Sequence, residues 1–236
     1  MKTFGLKDKT IIVTGAGGFL GGALYNALMC EGANVIGIDI NQSHMTDALD
    51  ISNTKDVKDY VATKLVIRAP IYGLINAAAV SFKGRNIKEI EFDKTMSVNI
   101  KGTYNMMEEI KPLMSLDGSI VNIASIYGIL SPDFSIYDGN KDLYSSSIYG
   151  ATKAAIMQIS KYYAVQYAPI RVNSVILGGV YNNQSEEFVK KYSKNVPLKR
   201  MADANDFTNG VMFLLSNLSS YITGASIPIT GGLEIR

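Results

Sequence analysis

The stretch "TIIVTGAGGFLGG", residues 10–22, passes from aliphatic and β-branched residues into a cluster of glycines and out again into an apolar run. The first part has the composition of a buried strand, and the last part starts a helical pattern. Glycines at 15, 18 and 21 fall on the turn between them. Glycine in such a turn permits tight reversal, close approach of backbone to a pyrophosphate, and close packing of helix on strand. A phosphate placed there faces the free amides of the helix N-terminus. The turn predicts a strand–loop–helix unit that cradles a dinucleotide, with Gly15, Gly18, Phe19, Leu20 and Gly21 as its cofactor-side residues.

Further along the chain the same alternation repeats. Apolar strands are expected at 10–15, 34–39, 72–78, 119–125, 170–177 and 226–232, with helices near 19–31, 53–67, 93–113, 148–168, 185–194 and 203–216. Near-continuous apolar strands alternating with helices predict a parallel sheet covered on both faces. The fold class is therefore α/β, a Rossmann fold with a doubly wound parallel sheet and helices on both faces, expected as one domain over residues 1–236. Ligands of such a sheet bind at the carboxyl ends of its strands. Asp39 ends the second strand, eighteen residues beyond Gly21, where a carboxylate can accept hydrogen bonds from ribose hydroxyls. A carboxylate there repels a 2′-phosphate, and Ile40 and Asn41 supply no compensating cation. NAD is thus expected in preference to NADP.

Composition excludes several other classes. The 23 basic residues are scattered among 21 acidic ones for a net charge of +2, without the basic stripe that nucleic acid requires. No run reaches the roughly 18 apolar residues of a membrane span, so a cytoplasmic protein acting on a small molecule is expected. Cys30 is the only cysteine, which leaves no internal disulfide and no multi-cysteine metal cage; it is expected to be a buried structural thiol. The single histidine, His44, lies in the polar run "NQSHMTD" and is expected in a loop, so a histidine-dependent hydrolase is disfavoured. No metal site is expected.

The segment "YSSSIYGATK", residues 144–153, places Tyr149 four residues before Lys153 on one helix face. A phenol titrates near ~10, too high for a base at neutral pH. A lysine charge about 5 Å away, at an effective dielectric of ~20, is worth roughly 3 kcal/mol and should lower that value by about two units.

With "LDI" at 49–51, "NAAA" at 76–79, "VNIKG" at 98–102, "IVNIAS" at 120–125, "YGATK" at 149–153, "RVNSVILGGV" at 171–180 and the run 197–232 in the same order, the chain resembles the short-chain dehydrogenase/reductase family nearly end to end. The resemblance implies an NAD-dependent oxidoreductase that moves a hydride between the nicotinamide and a carbon bearing a hydroxyl or carbonyl. It implies Tyr149 as general acid/base, Lys153 as its electrostatic partner and ribose ligand, Ser125 on the reacting oxygen, and Asn99 holding a relay water. It further implies Asp50 and Ile51 near the adenine, Asn76, Ala77 and Ala78 along the cofactor, and Gly178 and Val180 beside the nicotinamide. A homodimer or homotetramer is implied as well. Alternatives are an epimerase or dehydratase using transient oxidation, and a non-catalytic NAD-binding protein.

Three departures from the family pattern stand out. Phe19 replaces a usual glycine, as in the extended members, yet only 83 residues follow Lys153, too few for their substrate domain. Leu177 replaces a usual proline and is expected to loosen the turn at 178–179. Residues 126–148 form an insert of roughly twice the usual length. Tyr127, Asp133, Tyr137, Asp138, Asn140, Lys141 and Tyr144 make it rich in hydrogen-bonding groups, as suits a polyhydroxylated ligand. This insert also resembles those of short-chain enzymes in bacterial surface-glycan and flagellin-sugar pathways, which implies a sugar or nucleotide sugar as substrate. A second substrate-covering element is expected at 181–200.

Overall fold

The computed structural model describes residues 4–84, 86–137 and 139–235; Asp138 of the insert lies outside them. A seven-stranded, wholly parallel sheet runs in the order β3-β2-β1-β4-β5-β6-β7. The strands are β1 (Thr10–Thr14), β2 (Asn34–Asp39), β3 (Asp47–Ala48), β4 (Ile71–Asn76), β5 (Met114–Ser125), β6 (Arg171–Leu177) and β7 (Ser226–Ile229). Alternation within β1 shows why central strands read as unbroken apolar runs. Ile12 points to one face, against Leu74, Met106 and Ile120, whereas Ile11 and Val13 point to the other, against Leu24, Leu28 and Phe207. Both faces are core, so neither needs polar residues.

The helices are α1 (Phe19–Cys30), α2 (Thr54–Tyr60), α3 (Glu89–Met96), α4 (Thr103–Ile110), α5 (Ser147–Gln166), α6 (Glu186–Asn195) and α7 (Ala204–Leu215). Residues of α2, α4 and α5 cover one face, and those of α1 and α7 the other. The helix expected at 93–113 is instead α3 and α4, joined by a wide π-helical turn at Ser97–Gly102. A Cβ on Gly102 would lie 2.7 Å from Ile51 Cγ1, so this turn packs tightly on the loop after β3. The helix expected at 53–67 is α-helical to Tyr60 and continues as a wide π-helical turn over Val61–Leu65 and a 3-10 turn over Val66–Arg68.

Other expectations are corrected. Cys30 is exposed, not buried, because the core-facing residue of its turn is Leu28, two positions earlier on the helix. Leu177 does not loosen the chain: it extends the β6 ladder, opposite both Ser125 and Ile229, and is buried. The insert, in its described residues, is ordered. It folds into three short 3-10 turns, and its Ile136 and Tyr137 join Tyr192, Val196 and Met201 in a small core beside α6. His44 is exposed in the loop between β2 and β3.

Candidate active site

The strand order reverses beside β1, whose neighbours are β2 and β4, and this is where a doubly wound sheet opens a crevice. Gly15 leaves β1 with φ +70, and a Cβ on it would stand 2.7 Å from Ala78 Cα. A Cβ on Gly21 would stand 2.0 Å from Gly15 O. Only glycine lets the turn close on both its own helix and the loop after β4. Gly18 caps α1 without a side-chain bond, and no acidic residue occupies the first turn, so the free amides carry no competing charge. Thr14 completes the junction, its Oγ1 accepting from the N–H groups of Ala77 and Ala78 at 3.2 Å each.

These groups wall a cavity of about 380 Å³, lined also by Phe19, Leu20, Asp39, Asp50 and Ile51. Asp39 accepts from Gly17 N at 3.1 Å and from Asn41 N at 3.2 Å, which fixes its carboxylate at the cavity wall. Asp50 is held by Ser52, through N at 3.0 Å and Oγ at 2.6 Å, and lies 3.6 Å from Lys94 Nζ. Burial pushes the Asp50 carboxyl up, but the Ser52 bonds and the Lys94 charge together outweigh it and hold the group below its ordinary value. Asn76 departs from its expected place. Its amide points into the core and donates to Asn122 Oδ1 at 2.8 Å, and Asn122 donates in turn to Ser160 Oγ at 2.9 Å. This buried chain ties β4 and β5 to α5.

A second cavity of about 470 Å³ adjoins the first, and Phe19, Leu20, Ala77, Ala79 and Tyr149 line both. Ser125 enters it from the carboxyl end of β5, and Tyr149 and Lys153 from α5. Lys153 is buried, its Nζ donating to Ile123 O at 2.7 Å and lying 5.6 Å from the Tyr149 ring centroid. Burial pulls its ammonium down to about 8. Burial also pushes the Tyr149 phenol up, and the Ser125 hydroxyl bond opposes this. The expectation that Lys153 lowers the phenol is therefore not met in the chain alone: burial dominates, and the ammonium is bonded to a carbonyl rather than to the phenol oxygen.

Asn99 sits in the π-helical turn. Its Oδ1 accepts from Val80 N at 2.8 Å, and its Nδ2 donates to Val80 O and Thr152 Oγ1 at 3.1 Å each. Both amide hydrogens are engaged, so the side chain braces the cofactor-side loop against α5. At the end of β6, Gly178 N donates to Ile229 O at 3.0 Å, Gly179 N donates to Tyr192 Oη, and Ala202 bridges Gly179 O and Tyr181 N. This pattern engages the flanking amides and skips that of Val180.

Sequence reasoning missed Thr14, Lys94 and Tyr192. The threonine preceding Gly15 was the one legible signal; Tyr192 bonds a backbone N–H thirteen residues away and leaves no local trace. Among the described residues no group of three or more His, Cys, Asp or Glu could hold a metal ion, and no helix is long and apolar enough to cross a membrane.

Comparison with known proteins agrees with the fold. The family model described as enoyl-(acyl carrier protein) reductase matches residues 20–234. A short chain dehydrogenase of Leptospira borgpetersenii with bound NAD+ superposes with a TM-score of 0.88 at 32% identity, over 99% of this chain and 96% of that one. The aldohexose dehydrogenase of Thermoplasma acidophilum, in ligand-free form, gives a TM-score of 0.87 at 25% identity, over 100% and 97%. The 3-oxoacyl-[acyl-carrier-protein] reductase FabG of Thermotoga maritima is 29% identical over 255 aligned positions, covering 98% of this chain and 99% of its own.

Proposed function

The chain belongs to the short-chain dehydrogenase/reductase family, whose members act as oxidoreductases on alcohol and ketone groups, and from that membership we propose an NAD-dependent dehydrogenase of a sugar or activated sugar. The observation that carries the reading is that Tyr149 lines both cavities, with Ser125 and Lys153 beside it. NAD fits the first cavity: glycine at 15 and 21 lets the turn close on Ala78 and on its own helix, where a Cβ would collide, and the uncapped start of α1 is prepared for phosphate. Asp39 would take the adenosine ribose hydroxyls, Asp50 and Ile51 would flank the adenine, and Gly178 and the Val180 N–H would border the nicotinamide. Bound NAD supplies the hydride acceptor.

Tyr149 takes the hydroxyl proton of the substrate as the carbonyl forms, and returns one in the reverse direction. Ser125 donates to the same oxygen and holds it against Tyr149. Lys153, charged below pH of about 8, would hold the nearby ribose. Asn99 positions α5 through Thr152. The sugar reading draws support from the polar insert beside Ser125 and from the aldohexose dehydrogenase with which the chain superposes. We further propose one domain, a cytoplasmic location and a homo-oligomer assembled through α4 and α5, where Tyr104, Tyr162 and Val165 are exposed.

The test is NADH absorbance with purified protein, NAD+ and a panel of aldohexoses, sugar phosphates, nucleotide sugars and simple secondary alcohols. Tyr149→Phe is expected to lose about 100-fold or more in kcat while binding NAD+ normally by calorimetry. Undiminished turnover in that variant overturns the assignment. Equal affinity for NADP and NAD overturns the role of Asp39.

A further inference from the structure

The insert leaves the sheet at Ser125 and returns at Tyr149, and both of its ends are locked against the catalytic helix. A Cβ on Gly150 would lie 2.6 Å from Tyr127 O, and one on Gly128 would lie 2.8 Å from Ala154 N. Tyr127 also donates its N–H to Ser125 Oγ at 3.2 Å. Its side chain is thereby fixed beside the reacting groups. From the middle of the insert, Tyr137 reaches back so that the two phenol oxygens are 3.2 Å apart. The Tyr137 ring is seated by Tyr144 and Phe188, with centroids 5.3 and 5.6 Å away. At the far end Ser145, itself buried, contributes a hydroxyl-bearing side chain. Tyr127, Tyr137 and Ser145 all line the cavity that holds Ser125 and Tyr149.

Each phenol carries one O–H and accepting lone pairs. The bond between Tyr127 and Tyr137 engages one of the two hydrogens, so the pair keeps a free O–H together with free acceptor sites. Ser145 has the same double character. Such an array is unsuited to an aliphatic chain, which would leave buried polar groups unpaired, and unsuited to an anion, which needs donors alone. A carbon skeleton bearing adjacent hydroxyls donates and accepts at every oxygen and satisfies all three groups. The aromatic and thioether surfaces of Phe188 and Met201 in the same cavity are available to its C–H faces.

We propose that Tyr127, Tyr137 and Ser145 form a specificity site that binds neutral, adjacent hydroxyls of the substrate, away from the carbon that loses its hydride. This rests on the sugar dehydrogenase reading and adds to it which residues select the sugar and that they do so through uncharged groups. The insert is then the specificity element of the enzyme, and Tyr137 is its central residue.

The test compares kcat/KM for the aldohexoses D-glucose, D-galactose and D-mannose with that for cyclohexanol, which has one hydroxyl and nothing for the site to hold. Tyr137→Phe and Tyr127→Phe keep the rings, and NAD+ binding checks that the fold is intact. Each is expected to lower kcat/KM for the aldohexose that is turned over by about 10- to 100-fold, chiefly through KM, while cyclohexanol stays within about twofold. Ser145→Ala is expected to act in the same direction with a smaller effect. An aldohexose turned over equally well by wild type and Tyr137→Phe overturns the specificity site and leaves the sugar reading standing. Turnover of cyclohexanol with no aldohexose, sugar phosphate or nucleotide sugar accepted removes the sugar reading itself, and the specificity site with it.

Discussion

Lys153 shows how one residue can oppose the fold that holds it. An unfolded lysine titrates near ~10.4, whereas burial brings this one down to about 8. Between those values the unfolded chain binds more protons than the folded one, so this group makes stability rise with pH from about 8 to about 10.4, and below about 8 its full cost is present. Lys153→Met is therefore expected to stabilise the protein at pH 7 by about 1–2 kcal/mol, after allowance for leaving Ile123 O unpaired. The gain should shrink as the pH is raised toward 10, and turnover should fall about 100-fold or more. Thermal unfolding of both proteins at pH 7 and pH 10 checks the sign; a variant less stable than wild type at pH 7 contradicts it. Gly21 makes the opposite point. Gly21→Ala places a methyl 2.0 Å from Gly15 O, and NAD+ affinity measured by calorimetry should fall by an order of magnitude or more, because the turn must open to admit it.

At the scale of elements, β6 and α7 are joined by a buried arginine. Arg171 donates to the carbonyls of Leu214, Leu215 and Ser216 and to Ser219 Oγ, and among the described residues none of its hydrogen bonds goes to a carboxylate. Its partners are the carbonyls that close α7, where helix geometry leaves acceptors unpaired and the dipole favours a cation. Arg171→Met is expected to cost on the order of 3 kcal/mol, read as a lowered denaturant midpoint. A midpoint shifted by less than a third of that would show the carbonyls to be satisfied otherwise. Elements of this kind divide what a sequence reveals from what it hides. β1, β2, β4 and β6 were legible because two-sided burial writes a continuous apolar run. β3 was not, since two residues carry no periodicity. The polar start of β5, "MSLDG", also escaped notice, because Leu116 and Asp117 within it are exposed and break the apolar run. Glycine spacing and the Tyr149–Lys153 interval read directly onto the site. Asn76 did not, since its partner is set by the register that brings it opposite Asn122.

The described residues form two large cores on the faces of the sheet and two smaller clusters, one of which the insert builds with α6. No residue of that cluster belongs to either face, so replacing residues 131–142 with a short connection should leave the sheet intact while loosening α6. Hydrogen exchange is expected to show faster exchange across Glu186–Asn195 and unchanged protection in β4, β5 and β6. Equal protection of α6 in both proteins would mean that the insert does not seat it. The two margins of the sheet bear on a different property. One ends in β3, only two residues long, and the other in β7, four residues interrupted by Pro228, which has no N–H to offer. A foreign strand needs a long, flat row of free amides and carbonyls to add itself to a sheet. Neither border supplies one, so the native molecule is guarded against edge-to-edge polymerisation even though its centre is among the most strand-prone sequence in the chain.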